Sequence, residues 1–130
     1  MDDTIAKSRV LVIDDSAMVR RYIRDALERS QFEVQEAFNG VEAMERVLSA
    51  RFDLLVVDVN MPKMDGYAFL HALRGRDGEI ATIPALMTST EAGPQDMAAA
   101  YAAGANYYLV KPVGQDDLVR YASALTGRSP

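Results

Sequence analysis

The chain has no cysteine and a single histidine among its 130 residues. The first absence excludes disulfides, thiolate catalysis and Cys-ligated zinc, and leaves the redox compartment undecided. His71 stands between Leu70 and Leu73 with no metal-binding neighbour in sequence, and reads as a surface or boundary residue. Positive charge is in deficit. The 14 Lys and Arg against 19 Asp and Glu leave a net charge of −5, which disfavours a general nucleic-acid binder because such a protein needs a basic face. No apolar run approaches the roughly 20 residues that span a bilayer. The Met1-Asp2-Asp3-Thr4 start is acidic and lacks the apolar segment of a signal peptide. Neither a G-x-G-x-x-G nor a P-loop glycine pattern is present. Together these absences lead us to expect a soluble cytoplasmic protein without membrane insertion or direct nucleic-acid contact.

What is present is an ordinary globular balance, 49% hydrophobic and 25% charged, in a length that suits one domain. Four short apolar runs each stop at polar residues. Val10–Ile13 stops at Asp14-Asp15, Leu54–Val57 at Asp58, Ala85–Met87 at Thr88-Ser89, and Tyr107–Val110 at Lys111-Pro112. Runs of this kind read as strands buried on both faces of a parallel sheet. The carboxyl ends of parallel strands lie along one edge, where ligands bind. Three carboxylates, one or two hydroxyls and one ammonium are therefore predicted to converge there.

Between the runs the pattern turns helical. Residues 1–8 read as a frayed leader and 9–14 as the first strand. Ser16 caps a helix through about residue 29, with Met18, Val19, Tyr22, Ile23, Ala26 and Leu27 on its apolar face. A second strand covers Phe32–Ala37, Asn39-Gly40 reads as a turn, and Val41, Ala43, Met44, Val47 and Leu48 mark a second amphipathic helix. The third strand is about 53–58, a loop follows over Asn60–Gly66, and Tyr67, Phe69, Leu70 and Leu73 mark the third helix. Gly75–Thr82 reads as a polar surface connection. Pro94 opens a fourth, Ala-rich helix that Gly104 terminates. A fifth strand (106–110) and a helix carrying Leu118, Val119, Ala122 and Leu125 complete the order. Met18, Met44 and Met87 read as core filler. The alternation βαβαβαβαβα predicts a single α/β, doubly wound (βα)5 domain with a five-stranded parallel sheet.

The chemistry follows from the residue types. Carboxylates held together stay ionised at neutral pH only with a cation among them, and hard oxygen ligands suit Mg²⁺. Lys111 supplies a point charge for an anion, and Ser89 or Thr88 a hydroxyl to hydrogen-bond it. A carboxylate can act as a nucleophile toward phosphorus. Asp58 stands alone at its strand end and is the best nucleophile, while Asp14-Asp15 form a ready metal pair. Three other readings fit these residues less well. A haloacid-dehalogenase-type phosphatase would start D-x-D, but Asn60 cannot supply the second acid. An EF-hand starting at Asp58 fails because Pro62 falls on a ligand position. A purely structural interaction module would not need the full acid, hydroxyl and lysine set.

Asp14-Asp15, Asp58 followed by Val59-Asn60-Met61-Pro62-Lys63-Met64-Asp65-Gly66, then Ser89 and Lys111-Pro112, resemble the signature of two-component response-regulator receiver domains, and most of all the stand-alone, CheY-like chemotaxis type. The match covers about residues 8–126, so that 1–130 is expected to be one receiver domain without an output domain. The resemblance implies a flavodoxin-like fold with strand order 2-1-3-4-5. It implies that Asp58 accepts a phosphoryl group from a sensor histidine kinase or phosphotransfer protein. It also implies that Asp14, Asp15, Asp58 and the main-chain carbonyl of Asn60 bind Mg²⁺, Asp14 through water. Lys111 would contact phosphoryl oxygens, with a cis bond to Pro112. Ser89 would be the switch hydroxyl, favoured over Thr88 and Thr90 by its spacing to Lys111 and the following Glu91-Ala92. By strand alternation Thr88 should point away from the site. Tyr108 would be the conformational switch, and Asn60 and Glu91 would tune dephosphorylation. The chain would catalyse nothing beyond its own phosphorylation and dephosphorylation. It would remain a monomer, or dimerise on phosphorylation. It would bind a flagellar motor protein, phosphatase or kinase through the fourth helix, fifth strand and last helix, where Gln95, Tyr108, Val113, Arg120 and Tyr121 are contact candidates.

Overall fold

The computed structural model describes residues 7–128. Five parallel strands, β1 (Arg9–Ile13), β2 (Glu33–Ala37), β3 (Leu54–Asp58), β4 (Ala85–Ser89) and β5 (Tyr107–Val110), form one sheet in the order β2-β1-β3-β4-β5. They alternate with α1 (Ala17–Arg29), α2 (Gly40–Ser49), α3 (Gly66–Arg74), α4 (Pro94–Ala103) and α5 (Gln115–Leu125). The predicted fold class and strand order are both observed. Most of the leader expected at 1–8 and the last two residues lie outside the described residues.

β3 is buried along its whole length because it sits mid-sheet with a layer on each face. One layer packs α2, α3 and α4 around Leu11, Ile13, Leu55, Val57, Phe69 and Met87. The other packs α1 and α5 around Val10, Val12, Ile23, Leu54, Val56 and Leu118. This two-sided burial explains why the strands read as unbroken apolar runs.

The structure corrects several local expectations. Asn39-Gly40 is not a turn: Asn39 is the N-cap of α2, its side-chain oxygen accepting from the Glu42 N–H at 2.8 Å. The apolar faces of α1 and α2 are narrower than their periodicity suggested. Met18 is 84% exposed and is not core filler, and Tyr22, Val41 and Leu48 are also exposed. Met18 lies in the first turn of α1, at the carboxyl edge of the sheet, where no layer covers it. The polar connection after α3 contains a 3₁₀ turn, Glu79–Thr82. Arg74 pins it by donating to the carbonyls of Ala81, Ile83 and Gly104.

Candidate functional site

The site is built at the carboxyl edge, where β1, β3, β4 and β5 stop. After Ile13 the chain bends outward, and Asp14 fixes the bend by accepting the Ser16 N–H on Oδ1 at 2.9 Å. Ser16 then caps α1 by accepting the Val19 N–H. Asp58 is the final residue of β3, and Lys111 follows β5 directly. The Lys111 ammonium donates to Asp14 Oδ2 and to Asp58 Oδ1, both at 2.9 Å. Asp14 and Asp58 are buried, Asp15 is exposed, and one oxygen from each of the three lies within 4.8 Å of the others.

One ammonium does not balance three carboxylates. Burial raises the Asp58 pKa, the hydrogen bond from Lys111 works against that, and the charge of Asp14 adds to the rise; the net direction is upward. Burial depresses Lys111, but its hydrogen bonds to Asp58 and Asp14 outweigh it and hold the ammonium protonated above the usual lysine range. A dense set of hard oxygen donors with surplus negative charge fits a divalent cation of the Mg²⁺ kind.

The loop after β3 is packed onto the Asp58 backbone. The Gly66 N–H donates to the Val59 carbonyl at 2.9 Å. A Cβ at Gly66 would lie 2.4 Å from the Asp58 carbonyl oxygen, so only glycine allows this approach. Asn60 is exposed at the loop's start.

The hydroxyl and aromatic candidates form a second hydrogen-bonded set beside the first. Ser89 Oγ accepts the Glu91 N–H at 3.0 Å, and the Ser89 carbonyl accepts the Lys111 N–H at 2.7 Å. Tyr108 is buried, and its O–H donates to the Glu91 carbonyl at 2.7 Å. Among the described residues Ser89 makes no side-chain hydrogen bond to Asp58 or Lys111. Thr88 pairs in register with Asp58. It faces a cleft on the α1 side, lined also by Met18, Tyr22, Lys111 and Pro112, and its buried Oγ1 has no hydrogen-bond partner among the described residues. Thr90 and the Glu91 side chain are exposed. The Lys111–Pro112 peptide is cis.

Sequence reasoning missed Arg20, Glu36 and Tyr22. Arg20 donates to the Asp14 carbonyl and to Glu36, while Tyr22 donates to the Val113 carbonyl beside Pro112. The one signal available was an acidic residue at the end of β2 opposite arginines at i and i+4 on α1.

A family model, the response regulator receiver domain, matches residues 10–123. The chain belongs to the response-regulator receiver family. It is 38% identical over 128 residues to the transcriptional regulatory protein PrrA of Mycobacterium leprae, covering 98% of this chain and 54% of that protein. The same figures hold for PrrA of Mycobacterium tuberculosis. The chain thus spans about half the length of these curated relatives. Among solved structures, the chemotaxis protein CheY4 of Vibrio cholerae superposes with a TM-score of 0.86 at 35% identity, covering 92% of this chain and 99% of that one. The receiver domain of the Francisella response regulator 1452 superposes with a TM-score of 0.87 at 26% identity, over 93% and 98%. Receiver domains are phosphoacceptor signalling modules that work with histidine kinases and downstream targets, so a dehalogenase-type phosphatase is set aside. None of the described helices is long and apolar enough to cross a membrane.

Proposed function

We propose that Asp58 is the phosphoacceptor of a signalling switch and that Lys111, bridging Asp58 and Asp14 from a different strand, is its charge clamp. That bridge carries the reading, because it puts a cation at the carboxylate where negative charge would be added. A carboxylate oxygen of Asp58 attacks the phosphorus of a phosphohistidine, the P–N bond breaks, and the imidazole leaves with the electron pair and takes up a proton. Asp14, Asp15 and Asp58, with the main-chain carbonyl of Asn60, would hold Mg²⁺, which when bound neutralises charge on the transferring group. Lys111 stabilises the phosphoryl oxygens as they approach Asp58. Nothing else is catalysed. Asn60 and Glu91, at the rim, set how fast water removes the group.

The Ser89 hydroxyl keeps its own hydrogen to donate to a phosphoryl oxygen while its Oγ accepts from Glu91. Movement of Ser89 therefore pulls on Glu91, whose carbonyl holds Tyr108. This gives the β4–α4 loop two arrangements that phosphorylation biases. The readout surface is α4–β5–α5. Tyr108 and Val113 are buried there, which leaves Gln95, Arg120 and Tyr121 as contacts, together with Tyr107, whose ring stacks on Tyr121 at 4.1 Å.

The protein would act in the cytoplasm as a receiver, monomeric or paired on phosphorylation. It would take its phosphoryl group from a sensor kinase or phosphotransfer protein and bind a separate motility-type target, a reading that the likeness to CheY4 supports. The identity to PrrA favours a second reading, in which the same face acts on a transcriptional output. Incubation with Mg²⁺ and acetyl phosphate, followed by intact-mass spectrometry, tests the switch. A single phosphoryl adduct is expected on the wild type and none on Asp58→Ala or without Mg²⁺. An adduct that survives the substitution would refute the assignment.

A further inference from the structure

Asp14 is gripped through its backbone as well as its carboxylate. Its N–H donates to the Ala37 carbonyl at 3.1 Å, and its carbonyl accepts Arg20 Nη1 at 2.7 Å. Arg20 reaches from α1 with a side chain only 17% exposed, and its Nε donates to Glu36 Oε1 at 2.8 Å. Glu36 sits next to Ala37 on β2, and its second oxygen accepts Arg24 Nη1. Strand β2, which carries none of the site's side chains, thus holds the Asp14 peptide from both ends.

We propose that Arg20, braced by Glu36, is a positioning residue that sets the Asp14-Asp15 bend for divalent-cation binding. The proposal rests on the receiver reading of the site and adds two residues from outside its carboxylate–lysine set. A guanidinium suits the task because its fixed fork bridges a carbonyl and a carboxylate at once, which a lysine ammonium on a flexible stem does not reproduce. The alternative is that Arg20 is only a nearby positive charge. The two make opposite predictions. Charge alone repels a cation from the cluster, so its removal tightens Mg²⁺ binding. Loss of positioning weakens it, and second-shell partners of metal ligands typically contribute about 10-fold or more to affinity.

The test is calorimetric Mg²⁺ titration of the wild type, Arg20→Met, Arg20→Lys, Glu36→Ala and the Arg20→Met/Glu36→Ala double variant, each checked by thermal melting. Both Arg20 substitutions and Glu36→Ala are expected to weaken binding roughly 10-fold, with the double variant no worse than Arg20→Met because the two side chains act as one unit. Mg²⁺ binding by Arg20→Met that is unchanged or tighter would overturn the proposal. Should Arg20→Met not fold, Arg20→Lys decides, because it keeps the charge and loses the fork: weaker Mg²⁺ binding upholds positioning, and unchanged binding overturns it. A wild type that binds no Mg²⁺ overturns the metal reading itself, an outcome distinct from equal binding by wild type and variants.

Discussion

Lys111 and Asp58 lie 53 residues apart in the chain and meet at 2.9 Å. The pair forms because Asp58 ends β3 and Lys111 directly follows β5 in one parallel sheet, where every strand's carboxyl terminus lies along the same edge. With Asp14 on the other side of the ammonium, the carboxylate that would receive a phosphoryl group is already held on a cation.

The raised pKa of Asp58 predicts a pH dependence of phosphoryl acceptance. Only the carboxylate attacks phosphorus, so the rate should fall on the acid side at a higher pH than for an ordinary aspartate, and added Mg²⁺ should move the fall to lower pH. The check is the initial rate of acetyl-phosphate labelling across an acidic pH series at two Mg²⁺ concentrations.

The same shift sets the sign of a stability effect. Asp58 binds its proton more tightly folded than unfolded, so its contribution is favourable below the unfolded pKa and is lost as pH rises through the folded one. At neutral pH without metal, ionised Asp58 therefore weakens the fold. Asp58→Asn should raise the melting temperature in EDTA by a few degrees and should lose the stabilisation that Mg²⁺ gives the wild type. Differential scanning calorimetry with and without Mg²⁺ measures both.

Much of this arrangement was legible in the chain, for identifiable reasons. A strand covered on both faces cannot carry polar residues until it emerges, so the polar ends of β1, β3, β4 and β5 mark the edge where the site lies. The cap at Ser16 and the left-handed stop at Gly104 (φ 112°) were equally plain. Periodicity could not show where a helix overhangs its sheet, which is why Met18 and Tyr22 read as core. The Arg20–Glu36 clamp left only a faint trace, the i, i+4 spacing of Arg20 and Arg24, because its partners are 16 residues apart and each alone reads as a solvated charge. Tyr108 and Val113 resembled surface contacts, but the packing of β5 and the following loop buries both.

Gly66→Ala should damage the site without touching a charge. Its Cβ would meet the Asp58 carbonyl and the Val59 Cα, both backbone atoms that cannot turn aside. Overpacking of this kind costs about 1–3 kcal/mol. Urea unfolding should show that loss, and phosphoryl labelling should slow because the Asp58 peptide is displaced.

Thr88→Val should stabilise. The buried hydroxyl has no partner among the described residues, and Val keeps the shape without the unmet polar atom. The gain should be about 1 kcal/mol, read as a higher urea midpoint with an unchanged m-value.

The central claim is that the group is carried as an acyl phosphate on Asp58, and its most direct test is chemical trapping. The protein is labelled with acetyl phosphate and Mg²⁺, reduced with borohydride, digested and sequenced by tandem mass spectrometry. An acyl phosphate at Asp58 is reduced to homoserine, so homoserine at position 58 alone is the predicted result. Homoserine at Asp14 or Asp15, or a label that resists borohydride because it sits on Ser89, Thr88 or His71, would contradict the account.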